Sequence, residues 1–224
     1  MVNDVNDPTG QPAQDPAQVP RRGVDRNTGR NVIARLVGVE HDRTVRAVVD
    51  QLSGEHSAID TIVADAVGDP DRLEVLERIG SYDNVRSSTL DGVAALTAEA
   101  LGTQLAAVSL VYPDRQVLAG CNAAEGTLAR VISLEMSVCK YTVASREALI
   151  VDDTRAHPLL SDHPAVLDES VLAYAGVPIL DAQGLVIATL CTWDTRSRHW
   201  SSGQVQILND LAHVARRRLL PEPA

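Results

Sequence analysis

Phenylalanine is missing altogether from this chain of 224 residues, and aromatics of every kind make up only 3% of it. Any core must therefore be built from Val, Leu, Ile and Ala, and the stacking surfaces that haem or flavin use are scarce. Cysteine is sparse as well. Cys121, Cys139 and Cys191 lie far apart, without a CxxC pair or the density of a disulfide framework, and are expected as small buried hydrophobes in a reducing compartment. No apolar run approaches the ~20 residues of a membrane span. The opening MVNDVNDPTG has neither a basic n-region nor an apolar h-region, which predicts a cytoplasmic protein. No glycine-rich loop follows a predicted strand, so Rossmann and P-loop nucleotide binding have no support. There is no internal repeat.

What is present favours a globule. Hydrophobic residues reach 45% and mean hydropathy is −0.04. Net charge is −10 with a pI near 5.0, which disfavours nonspecific attraction to nucleic acid or anionic lipid. One stretch runs against that sign. Arg21, Arg22, Arg26, Arg30, Arg35, Arg43 and Arg46 face only Asp25, Glu40 and Asp42.

Three regions follow from the patterning. Residues 1–30 carry prolines at 8, 12, 16 and 20 and almost no large apolar side chain, and are expected to be a disordered tail. Residues 31–84 read as a helical segment. Val45, Val48, Val49 and Leu52 share one helical face, then Ile59, Ile62, Val63 and Ala66, then Leu73, Leu76 and Ile79. Ser53-Gly54 and Gly68-Asp69-Pro70 break them apart.

From 85 to 220 the pattern mixes helix and strand. A helix in STLDGVAALTAEALG has Ser/Thr for its N-cap and Gly102 as its stop. Strands over 105–112 and 116–123 flank Pro113-Asp114-Arg115, a hairpin turn. A short helix near Val138–Ala144, a strand in ALIVDD and a polar loop through His163 come next. A second hairpin, YAGVPILDAQGLVIATLCTWDT, turns at Asp181-Ala182-Gln183-Gly184, and a last helix starts at Ser201 or Ser202. The arginines at 216–218 suit the negative pole of that helix. This order predicts an α+β fold, an antiparallel sheet with helices packed beside it.

The ordered set of motifs resembles the GAF domain, the small-molecule sensor module of bacterial signalling proteins, over about residues 72–217. The marks are RLEVLERIGSYDNV, VSLVYPDRQVLAG, MSVCKYTVASREALIVDDTRAHPLLSDHP and the second hairpin. The resemblance implies that the second hairpin lies mid-sheet, one face toward the terminal helices and the other flooring a pocket roofed by Val138–His163. Strand alternation places Ile187, Thr189, Cys191 and Trp193 on one face and Val186, Ala188, Leu190 and Thr192 on the other. The first set is expected to face the pocket; the competing reading has Trp193 capping the core at a sheet edge. Pro178 is expected at a bulge or an unpaired position. The candidate ligand-binding set is Cys139, Tyr141, Asp153, Tyr174, Thr189, Cys191 and Trp193.

These features predict a cytoplasmic sensor without catalysis. An unidentified small molecule would shift its helices, a homodimer would form through the terminal helices, and a protein partner would read the output. No cofactor is assigned, and nucleic acid and membrane are not expected partners. An alternative is a thiol enzyme or redox sensor using Cys139, which sits near a helix start beside Lys140. Free methionine sulfoxide reductases, GAF proteins of that kind, show Gly-x-x-Cys-Gly and further loop cysteines. Here the matching stretch is SVCKYT, and 152–170 holds no cysteine.

A second alternative is DNA binding through the basic helices, where IARLVGVEHDRTVRAVV faintly resembles a helix-turn-helix. Asp152, Asp153, His157, Asp162 and His163 are metal-binding types without a zinc spacing, and Asp153 reads better as a strand-end or N-cap residue. Tetrapyrrole and cyclic-nucleotide signatures are not matched, the latter needing a Phe.

Overall fold

The structure, a computed structural model, describes residues 56–80 and 87–220, with single positions at 31, 33, 34 and 38. The expected tail, the basic stretch and the helix over 45–52 lie outside the described residues, apart from those four positions.

Local chemistry sets the helix ends. Helix α1 (His56–Val67) closes at Gly68, whose N–H donates to Ala64 O at 2.8 Å. Asp69 then caps α2 (Pro70–Ile79), its carboxylate accepting from the Asp71 and Arg72 N–H groups with Pro70 leading the first turn. Helix α3 (Ser88–Leu101) starts at Ser87, whose hydroxyl accepts from Thr89, and stops at Gly102 with φ 64°. The last helix, α6 (Ser202–Leu219), begins at a full capping box between Ser201 and Gln204.

Between α3 and α6 run β1 (Leu105–Val111), β2 (Arg115–Cys121), β3 (Val131–Ser133), α4 (Cys139–Ser145), β4 (Leu149–Val151), α5 (Pro164–Leu167), β5 (Ala173–Leu180) and β6 (Val186–Asp194). Single 3-10 turns occupy Leu134–Met136 and Thr154–Ala156. The strands form one antiparallel sheet in the order β3-β2-β1-β6-β5-β4. The expected second hairpin is therefore β5–β6, and β6 lies mid-sheet between β1 and β5. Its turn is tied by Asp181, whose Oδ1 accepts from Gln183 N at 2.9 Å and Leu185 N at 2.8 Å, with Gly184 at φ 80°.

Both faces of the sheet are covered, so its central strands are apolar throughout. Against one face pack α2, α3 and α6, burying Val108, Leu110, Val177, Ile179, Leu190 and Leu208. The other face carries Ala107, Leu118, Tyr174 and Cys191 beneath α4, and α1 packs on α4 in turn.

Two details correct the sequence expectation. The pairing slips between Ile179 and Leu180, where Ile179 faces Ala188 but Leu180 faces Val186. That bulge turns Ile187 into the helix-side core and Val186 into the opposite one, the reverse of simple alternation. Downstream of it Thr189, Cys191 and Trp193 keep the expected face. In α2, the apolar stripe of Leu73, Leu76 and Ile79 is joined at its most buried edge by a charge, Arg72, which is 2% exposed. Its guanidinium donates to three main-chain oxygens: Val186 O at 2.7 Å, Val67 O at 3.0 Å and Val111 O at 2.6 Å. Arg72 thus ties the end of α1 to the end of β1 and to the bulged start of β6. Burial pushes its pKa down to about 10.

Candidate functional site

A cavity of about 180 Å³ lies between the sheet and the α4–α5 side. Its floor is the sheet, where β2, β5 and β6 present Gln116, Leu118, Tyr174, Cys191 and Trp193. Val138, Cys139 and Ala165 close it above, and Leu128, Ala129, Ile132, Met136, Ser170 and Val171 form the side where exposed residues begin. The wall is mostly aliphatic. Its polar atoms gather at one end.

That end is a buried network. Tyr174 donates its hydroxyl to Cys139 Sγ at 3.1 Å, and Cys139 Sγ lies 3.6 Å from Cys191 Sγ. Ser109 Oγ is 3.6 Å from Cys191 Sγ and accepts from Gln116 Nε2 at 3.1 Å, while Gln116 Oε1 takes a short hydrogen bond from Ser137 Oγ. Ser109, Gln116, Ser137, Cys139, Tyr174 and Cys191 are all buried. The Cys191 thiol first, and lesser polar neighbours among which the Tyr174 hydroxyl donates to Cys139 Sγ, favour the Cys139 thiolate against the opposing effect of burial. The Cys191 thiol moves the other way, raised by the hydrogen bond to Cys139 and by burial. Burial likewise holds the Tyr174 hydroxyl protonated, well above its ordinary range. Cys139 is therefore the first of this cluster to lose a proton.

Glycine makes room for the arrangement. In Gly176-Val177-Pro178, a Cβ on Gly176 would lie 2.7 Å from Cε1 and Cζ of Tyr174, so the bare glycine is the surface on which that ring lies. Pro178 follows where β4 pairing has already ended at Gly176, leaving it flanked by β6 alone.

Of the seven candidate ligand residues, Cys139, Tyr174, Cys191 and Trp193 stand in the cavity wall. Thr189 is fully buried on the same strand face, its hydroxyl without a hydrogen-bond partner. Tyr141 and Asp153 are placed elsewhere. Tyr141 turns toward His163 in an edge-on ring contact, with the Lys140 ammonium over its face. Asp153 caps the turn Thr154–Ala156 and pairs with Arg155 at 2.6 Å, a contact that holds its carboxyl below the usual range. His157 and His163 serve their own turns, each Nδ1 accepting a main-chain N–H two residues on.

Sequence reasoning passed over Ser109, Gln116 and Ser137. The available signal was a serine alone in the otherwise apolar LAAVSLV strand. A polar side chain in a strand covered on both faces calls for buried partners.

An antiparallel six-stranded sheet with helices on one face and a roofed cavity on the other defines an α+β domain. A sequence model of the GAF domain matches residues 86–219, and the chain belongs to that family. A cyclic di-GMP phosphodiesterase of Pseudomonas aeruginosa is 25% identical over 128 residues, 57% of this chain but only 21% of that protein's length. Among solved structures, a free methionine-R-sulfoxide reductase from Neisseria meningitidis in complex with its substrate is 26% identical, covering 66% of this chain and 87% of that one, with a TM-score of 0.47. The GAF domain of an Acinetobacter phosphoenolpyruvate-protein phosphotransferase is 16% identical, covering 66% and 92%, also with a TM-score of 0.47.

Proposed function

We propose that this chain is a regulatory sensor that binds one small molecule in the cavity and acts without turning it over. The observation that supports it is the cavity itself, aliphatic along most of its wall with the Cys139–Tyr174–Cys191 network at one end. A cavity of ~150 Å³ admits a benzene-sized ligand, so 180 Å³ suits a single-ring or short-chain molecule with one hydrogen-bonding group. Such a ligand bears on α4 and α5, and α4 in turn supports α1, so occupancy biases the N-terminal helices. Pairing with a second copy belongs to the same reading. Leu96 of α3 and Ile207 of α6, two helices in mutual contact, are 50% and 38% exposed.

Native mass spectrometry of the freshly purified protein tests both parts, reporting a bound small molecule and the number of chains. A ligand at 100 times its Kd contributes about 2.7 kcal/mol, or a Tm rise of roughly 5–10 °C for a chain of this size. Ala129→Trp, at an exposed position of the cavity's rim, should abolish the rise without loosening the core. A ligand whose stabilisation survives that substitution binds elsewhere and sinks the reading.

A further inference from the structure

The chain's three cysteines are all free and all buried, yet they are not equivalent. Cys121 lies outside the cavity wall, and its Sγ accepts from Ala123 N. Cys139 and Cys191 share the cavity's polar end, sulfur to sulfur at 3.6 Å, on different elements: the first turn of α4 and the middle of β6. Each is at most 2% exposed, so a reagent reaches them only through the cavity. Two thiols serving only as core filler would not need a tyrosine hydroxyl and a Ser109–Gln116–Ser137 relay around them. Buried polar groups of that number are costly unless used.

We propose that Cys139 and Cys191 form a peroxide-responsive thiol pair, oxidised to a disulfide by organic hydroperoxides that enter through the apolar cavity. The thiolate of Cys139 attacks the terminal oxygen of the hydroperoxide. The O–O bond breaks, Cys139 becomes a sulfenic acid, and the alkoxide leaves as the alcohol after taking the proton that the Cys139 thiol gave up. Cys191 sulfur then attacks the sulfenic sulfur. The S–O bond breaks, the thiol proton leaves with the hydroxyl as water, and the S–S bond forms. Two thiols lose two electrons and one hydroperoxide gains them. Tyr174, already donating to Cys139 Sγ, steadies the attacking thiolate.

Closure from 3.6 Å to the ~2.05 Å of a disulfide moves the short α4, since Cys191 is held in a central strand. The roof is then locked to the floor, and Tyr174 loses its thiolate acceptor. The aliphatic wall of Leu118, Leu128, Ile132 and Val171 selects a hydroperoxide with an apolar body. This inference uses the same cavity as the sensor reading but does not depend on a resident ligand. A protein that binds a ligand and never crosslinks refutes only the thiol pair.

The test treats the reduced full chain with cumene hydroperoxide or hydrogen peroxide and maps crosslinks by mass spectrometry of non-reduced peptides. Expected is one dominant Cys139–Cys191 disulfide, reversed by dithiothreitol, intact in Cys121→Ser and absent in Cys139→Ser. In Cys191→Ser, dimedone should trap one sulfenic acid, at Cys139. Cumene hydroperoxide should react roughly tenfold faster than hydrogen peroxide at equal concentration, because its ring partitions into the apolar wall. Ala129→Trp should remove that preference. Crosslinking through Cys121, persistence of both thiols, or equal rates for the two peroxides overturns the proposal.

Discussion

Arg72 ties three distant segments together through one buried side chain. A guanidinium that is 2% exposed replaces its lost hydration with hydrogen bonds to Val67 O, Val111 O and Val186 O. Arg72→Met should cost about 3 kcal/mol in chemical denaturation, with its own desolvation relief offsetting part of the loss. Arg72→Lys should recover less than half, since an ammonium cannot span three acceptors as the planar fork does.

His163 offers a pH-dependent counterpart. Burial, and then the charge of Lys140, push its pKa down to about 4, with Asp168 acting weakly the other way and the Tyr141 ring at its side. The fold therefore favours the neutral ring, and the unfolded chain binds the extra proton between about pH 6.5 and pH 4. Stability should be full above that window and fall by about 3 kcal/mol as pH drops through it. His163→Asn keeps a side-chain acceptor for Ala165 N and should flatten that slope in urea titrations run at stepped pH.

At the scale of elements, two glycines decide how closely parts approach. A Cβ on Gly120 of β2 would meet Leu90 of α3, its Cβ 2.6 Å away, so Gly120→Ala must push the helix off the sheet. Gly176→Ala instead displaces the Tyr174 ring and separates its hydroxyl from Cys139. We expect Gly120→Ala to lower Tm by several degrees while leaving thiol reactivity intact. Gly176→Ala should slow Cys139 alkylation by iodoacetamide, because a donor to its thiolate is lost.

Element scale is also where the sequence was most legible. Caps and turns with explicit chemistry located α3 (Gly102), α6 (Ser201) and both hairpins (Pro113 to Arg115, Asp181 to Gly184), and the break at Gly68 to Pro70 separated α1 from α2. β3 and α5, of three and four residues, are too short for any periodicity to register, whereas the equally short β4 showed as an unbroken apolar run. The β5–β6 bulge reversed Val186 and Ile187 because no local residue type announces a slipped register. Arg72 escaped notice for a related reason: a charged residue beside an apolar stripe reads as solvated until three carbonyls from distant segments are seen to converge on it. Two cavity residues, Cys191 and Trp193, were within reach of strand alternation. Tyr141 and Asp153 lie in a short helix and a loop, which offer no such alternation, and both stand outside the cavity wall.

On the scale of the whole molecule, the sheet separates two packings that share few contacts. One is the α2–α3–α6 layer, bearing Leu76, Leu110, Leu190 and Leu208. The other is the α4–α5 side with α1 laid on α4, where Val63 and Val67 pack into the same core as Val138, Cys139 and Tyr141. The chain passes from the second layer to the first at Gly68-Asp69, where Arg72 anchors it. On the proposed reading, a shift of α4, whether from a ligand or from a Cys139–Cys191 bond, passes to α1 through their mutual contact, while the opposite layer stays in place. Val63→Ala removes packing beneath α1 at a cost of about 1–2 kcal/mol. Amide exchange should then rise in 139–145 and 56–67 but stay unchanged in β1, β6 and α3. Uniform acceleration across the chain would mean that the two layers unfold as one, and that α1 has no privileged line to the cavity.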